Sequence, residues 1–272
     1  QFDELFGQTY IGQHPTPLRN AFFVLHLDFS TIDPTGSIED IERNFNAICN
    51  FRLDTMASLS ETWFQGTVNL DLNAPAAVNL EQILNVIQKK QLPALYVIID
   101  EYDNFANQLI TAHKDHLYRQ LTADDSFLKT FFKTLKAGRK TGAIANVFIT
   151  GVLPITMDDL ASGFNIARFI TLDPEFETML GFTQTEVDRL LDEVYHDYAI
   201  DPATRREVDA VIKNQYNGYH FVTPDGEAVY NSTILLYFLD KFCRSHAIPK
   251  HLTDFNLKTD LAWVRRLTAS NQ

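Results

Sequence analysis

Apolar residues along this chain follow two rhythms, and up to residue 174 the chain alternates between them. Unbroken runs rich in β-branched and aromatic residues occupy 21–29 (AFFVLHLDF), 94–100 (ALYVIID) and 143–151 (AIANVFITG), and each predicts a strand. Five apolar or aromatic residues in a row, Leu95 to Ile99, read as a central parallel strand buried on both faces. Between the runs the spacing turns helical. Ile38, Ile41, Phe45, Ile48 and Cys49 predict a helix from 38 to about 56, opened by a capping box of Ser37 and Asp40. Residues 59–76 carry no clear period. Ile83, Leu84 and Ile87 place a helix ending at Lys90 with Asn79 as its cap, and two more helices are expected at 102–113 and 124–139. The last has a stripe of Phe127, Leu128, Phe131, Phe132 and Leu135. A fourth, shorter strand is expected at 166–172. Strands and helices in alternation predict right-handed crossovers and a parallel sheet.

Beyond Pro174 the pattern becomes helical, at 175–179, 184–198, 202–215, 232–246 and 257–268. A β-hairpin over 219–230, turning at Asp225-Gly226, interrupts it. The expected architecture is therefore α/β: a parallel sheet flanked by helices in residues 1–174, and a mostly helical subdomain in 175–272.

Bulk properties narrow the function. With 45% hydrophobic and 21% charged residues in 272, the chain has the composition of a globular protein with a sizeable core. A formal charge of −12 argues against a broad nucleic-acid footprint. No apolar run approaches the roughly 18 residues that span a bilayer. Residues 1–20 do not read as a signal peptide. Cys49 and Cys243 lack ligand spacing and are expected as free thiols in a reducing cytoplasm.

The candidate chemistry lies at strand ends. The strand at 94–100 runs into Asp100-Glu101-Tyr102-Asp103, and the carboxyl ends of parallel strands are where α/β sheets bind ligands. A buried carboxylate there calls for a cation or hydrogen bonds. An apolar strand ending in Asp-Glu is the Walker B pattern, in which the Asp holds Mg²⁺ and the Glu polarises the attacking water. The same string also reads as a core strand entering an acidic turn. The next strand ends in Thr150-Gly151, where a small polar residue reaches the terminal phosphate in such enzymes. Alone, that dipeptide reads as an ordinary turn.

A phosphate-cradling Gly-x-x-x-x-Gly-Lys-[Ser/Thr] segment is absent, since no Gly-Lys dipeptide occurs. Gly138-Arg139-Lys140-Thr141-Gly142 follows a helix and precedes a strand, the reverse of a phosphate loop, and reads as a helix C-cap. His113 and His116 have no third metal ligand in view and read as a polar helix end. Asp158-Asp159 reads as part of a helical turn, and Asp192, Glu193 and Asp197 as a solvated helix face. No Gly-x-Ser-x-Gly elbow supports hydrolase chemistry of that kind.

Taken in order, several short blocks resemble one family. They are Leu27-Asp28-Phe29-Ser30, Ile99-Asp100-Glu101-Tyr102-Asp103, Phe148-Ile149-Thr150-Gly151-Val152 and Ser162-Gly163-Phe164-Asn165. Leu172-Asp173-Pro174-Glu175-Phe176, Leu180-Gly181-Phe182-Thr183, Glu186-Val187 and Tyr216-Asn217-Gly218-Tyr219-His220-Phe221 follow. The series is similar to the bacterial AAA-ATPase-like domain family, P-loop NTPase-like proteins often followed by a PD-(D/E)XK nuclease-like domain. The resemblance implies ATP and Mg²⁺ as cofactors. Asp100 would hold Mg²⁺ through water, Glu101 would be the catalytic glutamate, and Thr150 the phosphate sensor. The segments around Ser162-Gly163 and Asp173–Phe176 would connect to a helical lid, in which Gly218 supplies a tight turn. In the family the Gly-Lys-Ser loop lies upstream of the strand at 21–29. The chain is thus expected to be N-terminally incomplete or a degenerate member, and to hydrolyse ATP poorly or not at all by itself.

The resulting expectation is an ATP-binding core whose nucleotide state switches a helical lid and a downstream effector domain. A non-catalytic interaction module and the regulatory part of a nuclease-linked effector remain as alternatives.

Overall fold

A computed structural model describes residues 2–152, 164–223 and 226–253. Among them, three parallel strands form one sheet in the order β1 (Phe23–Asp28), β2 (Leu95–Asp100), β3 (Ile144–Ile149). Register is continuous from Phe23 opposite Leu95 to Asp28 opposite Asp100. Between β2 and β3 it slips once: Leu95 pairs with Ile144 but Tyr96 pairs with Asn146, so Ala145 is an extra residue on β3.

The chain divides into two compact units, Gln1–Ala167 and Arg168–Gln272. The first contains α1 (Phe2–Phe6), α2 (Tyr10–Gln13), α3 (Ile38–Leu59), α4 (Glu61–Phe64), α5 (Ala76–Lys90), α6 (Asn104–Thr111), α7 (Asp115–Leu121) and α8 (Phe127–Thr141). The expected capping box opens α3: Ser37 accepts the Asp40 N–H, and the Asp40 carboxylate accepts the Ser37 N–H. A left-handed Gly142 closes α8, so Gly138–Gly142 is a helix end as its order implied.

The strands advance in one direction across the sheet, and right-handed crossovers then put every connecting helix on the same face. Phe23, Leu25, Leu27, Leu95, Val97, Ile99 and Ile144 are accordingly buried in one cluster with Ile41, Phe45, Ile83, Leu84, Phe131 and Leu135. The opposite face is different. Val24, His26 and Phe148 are exposed, and Tyr96 and Ile98 only half-buried. The expectation that β2 is buried on both faces is corrected: a one-way strand order covers one face.

Two further expectations change. Asn79 does not cap α5, which starts three residues earlier after Pro75. It is buried within the helix, donating to Asn50 Oδ1 at 2.8 Å and to the Asp71 carbonyl at 2.8 Å, while Asn50 donates to the carbonyls of Leu72 and Ala74. These bonds tie down the segment between α4 and α5. No strand forms at 166–172. Ile166, Phe169 and Leu172 are exposed, the Asp173 N–H closes a turn onto the Ile170 carbonyl at 3.1 Å, and Arg168 pairs with Asp173 and Glu175. A charged residue held locally on both sides of a turn outweighs the apolar pattern.

The second unit holds α9 (Gln184–Asp197), α10 (Arg205–Tyr216) and α11 (Ser232–Ser245) around its own core of Val187, Leu191, Val208, Ile212, Tyr216, Leu235, Phe238 and Phe242. A 3₁₀ turn at Pro174–Phe176 stands where a helix was expected at 175–179. Tyr219 pairs antiparallel with Val229, and Phe182 with Tyr230. The hairpin tip at Asp225, the pairs Asp158-Asp159 and Ser162-Gly163, and the helix at 257–268 lie outside the described residues. No helix among the described residues is long and apolar enough to cross a membrane.

Candidate functional site

Alternation along the strands decides which side chains share the open face. Tyr96, Ile98 and Asp100 follow one another on it along β2, and Asp28 lies opposite Asp100 on β1. The extra residue in β3 brings Phe148 level with Ile98 and Ile149 level with Ile99, so Thr150 follows beside Asp100. The Thr150 hydroxyl donates to Asp100 Oδ1. Its N–H donates to the Ile99 carbonyl at 2.9 Å, and its carbonyl accepts the Tyr102 N–H at 3.1 Å. Asp100 and Thr150, read from sequence as two halves of one edge, are in contact.

Glu101 turns the chain out of β2. Its φ is +49°, a left-handed backbone that is unfavourable for a residue with a Cβ and that clusters at functional sites. The Glu101 N–H donates to Asp100 Oδ1 at 3.0 Å, its carbonyl accepts the Asn104 N–H at 3.0 Å, and the Asn104 side-chain amide donates to its carboxylate. These bonds hold the residue in the strained turn and set the direction of its carboxylate.

The carboxylates differ sharply in environment. Asp100 is exposed and Glu101 half-exposed, so Asp100 is not the buried carboxylate expected at this strand end. Asp103 is the buried one, with no exposed surface. It accepts the Val152 N–H at 3.1 and 3.2 Å and the Asn107 side-chain amide at 2.6 Å. Asp28 accepts the Ser30 N–H at 2.9 Å. The Ser30 hydroxyl, then its N–H and the nearby His26 and Arg52, outweigh partial burial and hold Asp28 below the usual aspartate range.

Neither Asp28 nor Asp103 was given a role by sequence reasoning. Register with β2 marks the first, and burial against a loop 49 residues away marks the second. In the second unit, Gly218 has φ +114° and its N–H is bonded to Asn217 Oδ1, the tight turn expected there. His113 and His116 are exposed, and no group of three or more His, Cys, Asp or Glu suited to a metal ion occurs among the described residues.

A carboxylate, a hydroxyl and a second carboxylate across the strand pair are hard oxygen donors. They fit Mg²⁺, which keeps most of its waters and leans on one or two carboxylates plus substrate phosphates, and they do not make a closed protein cage. A three-stranded parallel sheet flanked by helices defines the class, a P-loop NTPase-like α/β protein. The chain belongs to the AAA-ATPase-like family: the model described as "Predicted AAA-ATPase" matches residues 1–161. No curated protein and no solved structure matches the chain significantly.

Proposed function

We propose that this chain forms the catalytic edge of an ATP-dependent switch, in which Asp100, Glu101 and Thr150 read and cleave Mg-ATP. The observation that carries the reading is the Thr150–Asp100 contact, produced by the strand register on the open face. Asp100 anchors the water shell of the ion. Glu101, aimed by Asn104, orients the attacking water and accepts its proton. Thr150 moves its hydroxyl between Asp100 and the terminal phosphate, so that phosphate loss is felt at the end of β3. Mg²⁺, when bound, neutralises charge developing on the transferred phosphoryl group. The helical second unit then acts as the lid, and a nuclease-like or other effector domain is the receiver of the switch.

Glu101→Gln is expected to keep Mg-ATP bound while slowing turnover about 10²–10⁴-fold. Unchanged turnover removes Glu101 from this role. A second reading, a non-catalytic interaction module, is favoured by the lack of a Gly-Lys segment in these residues. Calorimetric titration of Mg-ATP separates the two, because the module takes up no nucleotide even in the full gene product.

A further inference from the structure

We propose that Asp103 is a positioning residue that locks the β3 end so that Thr150 stays level with Asp100. Its importance for turnover rests on the proposed function, whereas its effect on the loop does not. A carboxylate with no exposed surface is costly to hold unless hydrogen bonds compensate it, so its partners show its task. Asp103 stands at the N-cap of α6, yet its side chain makes no capping bond there. Both its oxygens face the Val152 N–H instead, on the loop that carries Thr150.

Gly151 fits the same account. A Cβ at this position would lie 2.4 Å from the Tyr102 ring and 2.6 Å from Asp103 Oδ1, so the loop presses onto these two side chains as closely as glycine permits. Thr150 is then bracketed on every backbone side: Ile99 takes its N–H, Tyr102 holds its carbonyl, and Asp103 holds the amide two residues on. Asn107 points the same way. Its amide nitrogen donates to Asp103 while its own Oδ1 is buried with no hydrogen-bond partner. An amide that forfeits its acceptor to serve a carboxylate is oriented by the negative charge.

The test compares ¹⁵N-labelled wild-type chain with Asp103→Asn, Asp103→Ala, Gly151→Ala and, as the reference for a lost Thr150 contact, Asp100→Asn. Asp103→Asn is nearly isosteric, and its new N–H can serve Asn107 Oδ1, so it keeps the fold even where alanine does not. The expected result is Val152 amide exchange faster by about tenfold or more, with the Val97 amide of β2 unaffected. The Thr150 resonances should move in Asp103→Asn as they do in Asp100→Asn. In the Mg-ATP reaction of the full gene product, kcat should fall roughly 10–100-fold with KM unchanged. Asp103→Asn and Gly151→Ala should be non-additive on the Thr150 shift, since both open one contact. Unchanged Val152 exchange in Asp103→Asn, or equal loss of protection at Val97 and Val152, overturns the proposal. A wild type that turns over no ATP overturns the nucleotide reading, while the exchange and resonance results still decide the lock.

Discussion

On one side of the sheet, Leu25, Val97 and Ile99 lie under α3, α5 and α8 with almost no exposure; on the other, Val24 and Phe148 face outward and lead up to Asp28, Asp100 and Thr150. The same six-residue strands build both sides, and their two-residue period sorts the work. The covered side supplies the stabilising burial. The open side has little packing to lose and carries Asp28, Asp100 and Thr150. A neighbouring pair shows the division at closest range: Ile99 is buried completely, whereas Ile98, one residue away, is half-buried.

The largest effect that would sharpen this contrast is the turnover loss in Glu101→Gln, which should leave stability nearly untouched. The next falls on the covered face: Ile99→Ala should cost about 2–5 kcal/mol in urea unfolding. Ile98→Ala should cost about 1 kcal/mol or less. Equal losses would break the comparison. Of similar size and opposite sign is Glu101→Gly, which relieves the left-handed backbone and should raise unfolding free energy by about 1 kcal/mol while abolishing the proposed base. No gain in thermal stability would show that the turn is not strained.

The smallest effect concerns Asp28. Its pKa is lowered on folding, so its contribution to stability is present above the ordinary aspartate value near 3.9 and is lost as pH falls through the lower folded-state value. Asp28→Asn should therefore lower stability slightly at neutrality and make the acid limb of the stability curve shallower below about pH 4. Chemical-denaturation midpoints from pH 2 to 7 would check it.

The strands and long helices were legible because their signals are local. β1, β2 and β3 coincide with apolar β-branched runs, and α3 begins at its capping box. The same local logic singled out Asp100, Glu101 and Thr150, of which the register sets Asp100 and Thr150 in contact. It failed at 166–172, where Arg168 is drawn to Asp173 and Glu175 and the apolar residues stay outside. It failed at Asn79, whose buried role depends on Asn50, 29 residues earlier. Asp103 escaped for the same reason. Two residues beyond Glu101 in the motif, it is distinguished only by a loop that folding brings back to it.

Ala145 sits at the start of β3, far along the strand from any reactive group, yet it acts as the alignment spacer of the whole edge. Were it drawn into the ladder opposite Tyr96, every candidate side chain would stay in the chain but change seat: Ile149 would come level with Asp100, and Thr150 would turn toward the oily side. A one-residue slip at the far end of the strand is thus a master switch for the site.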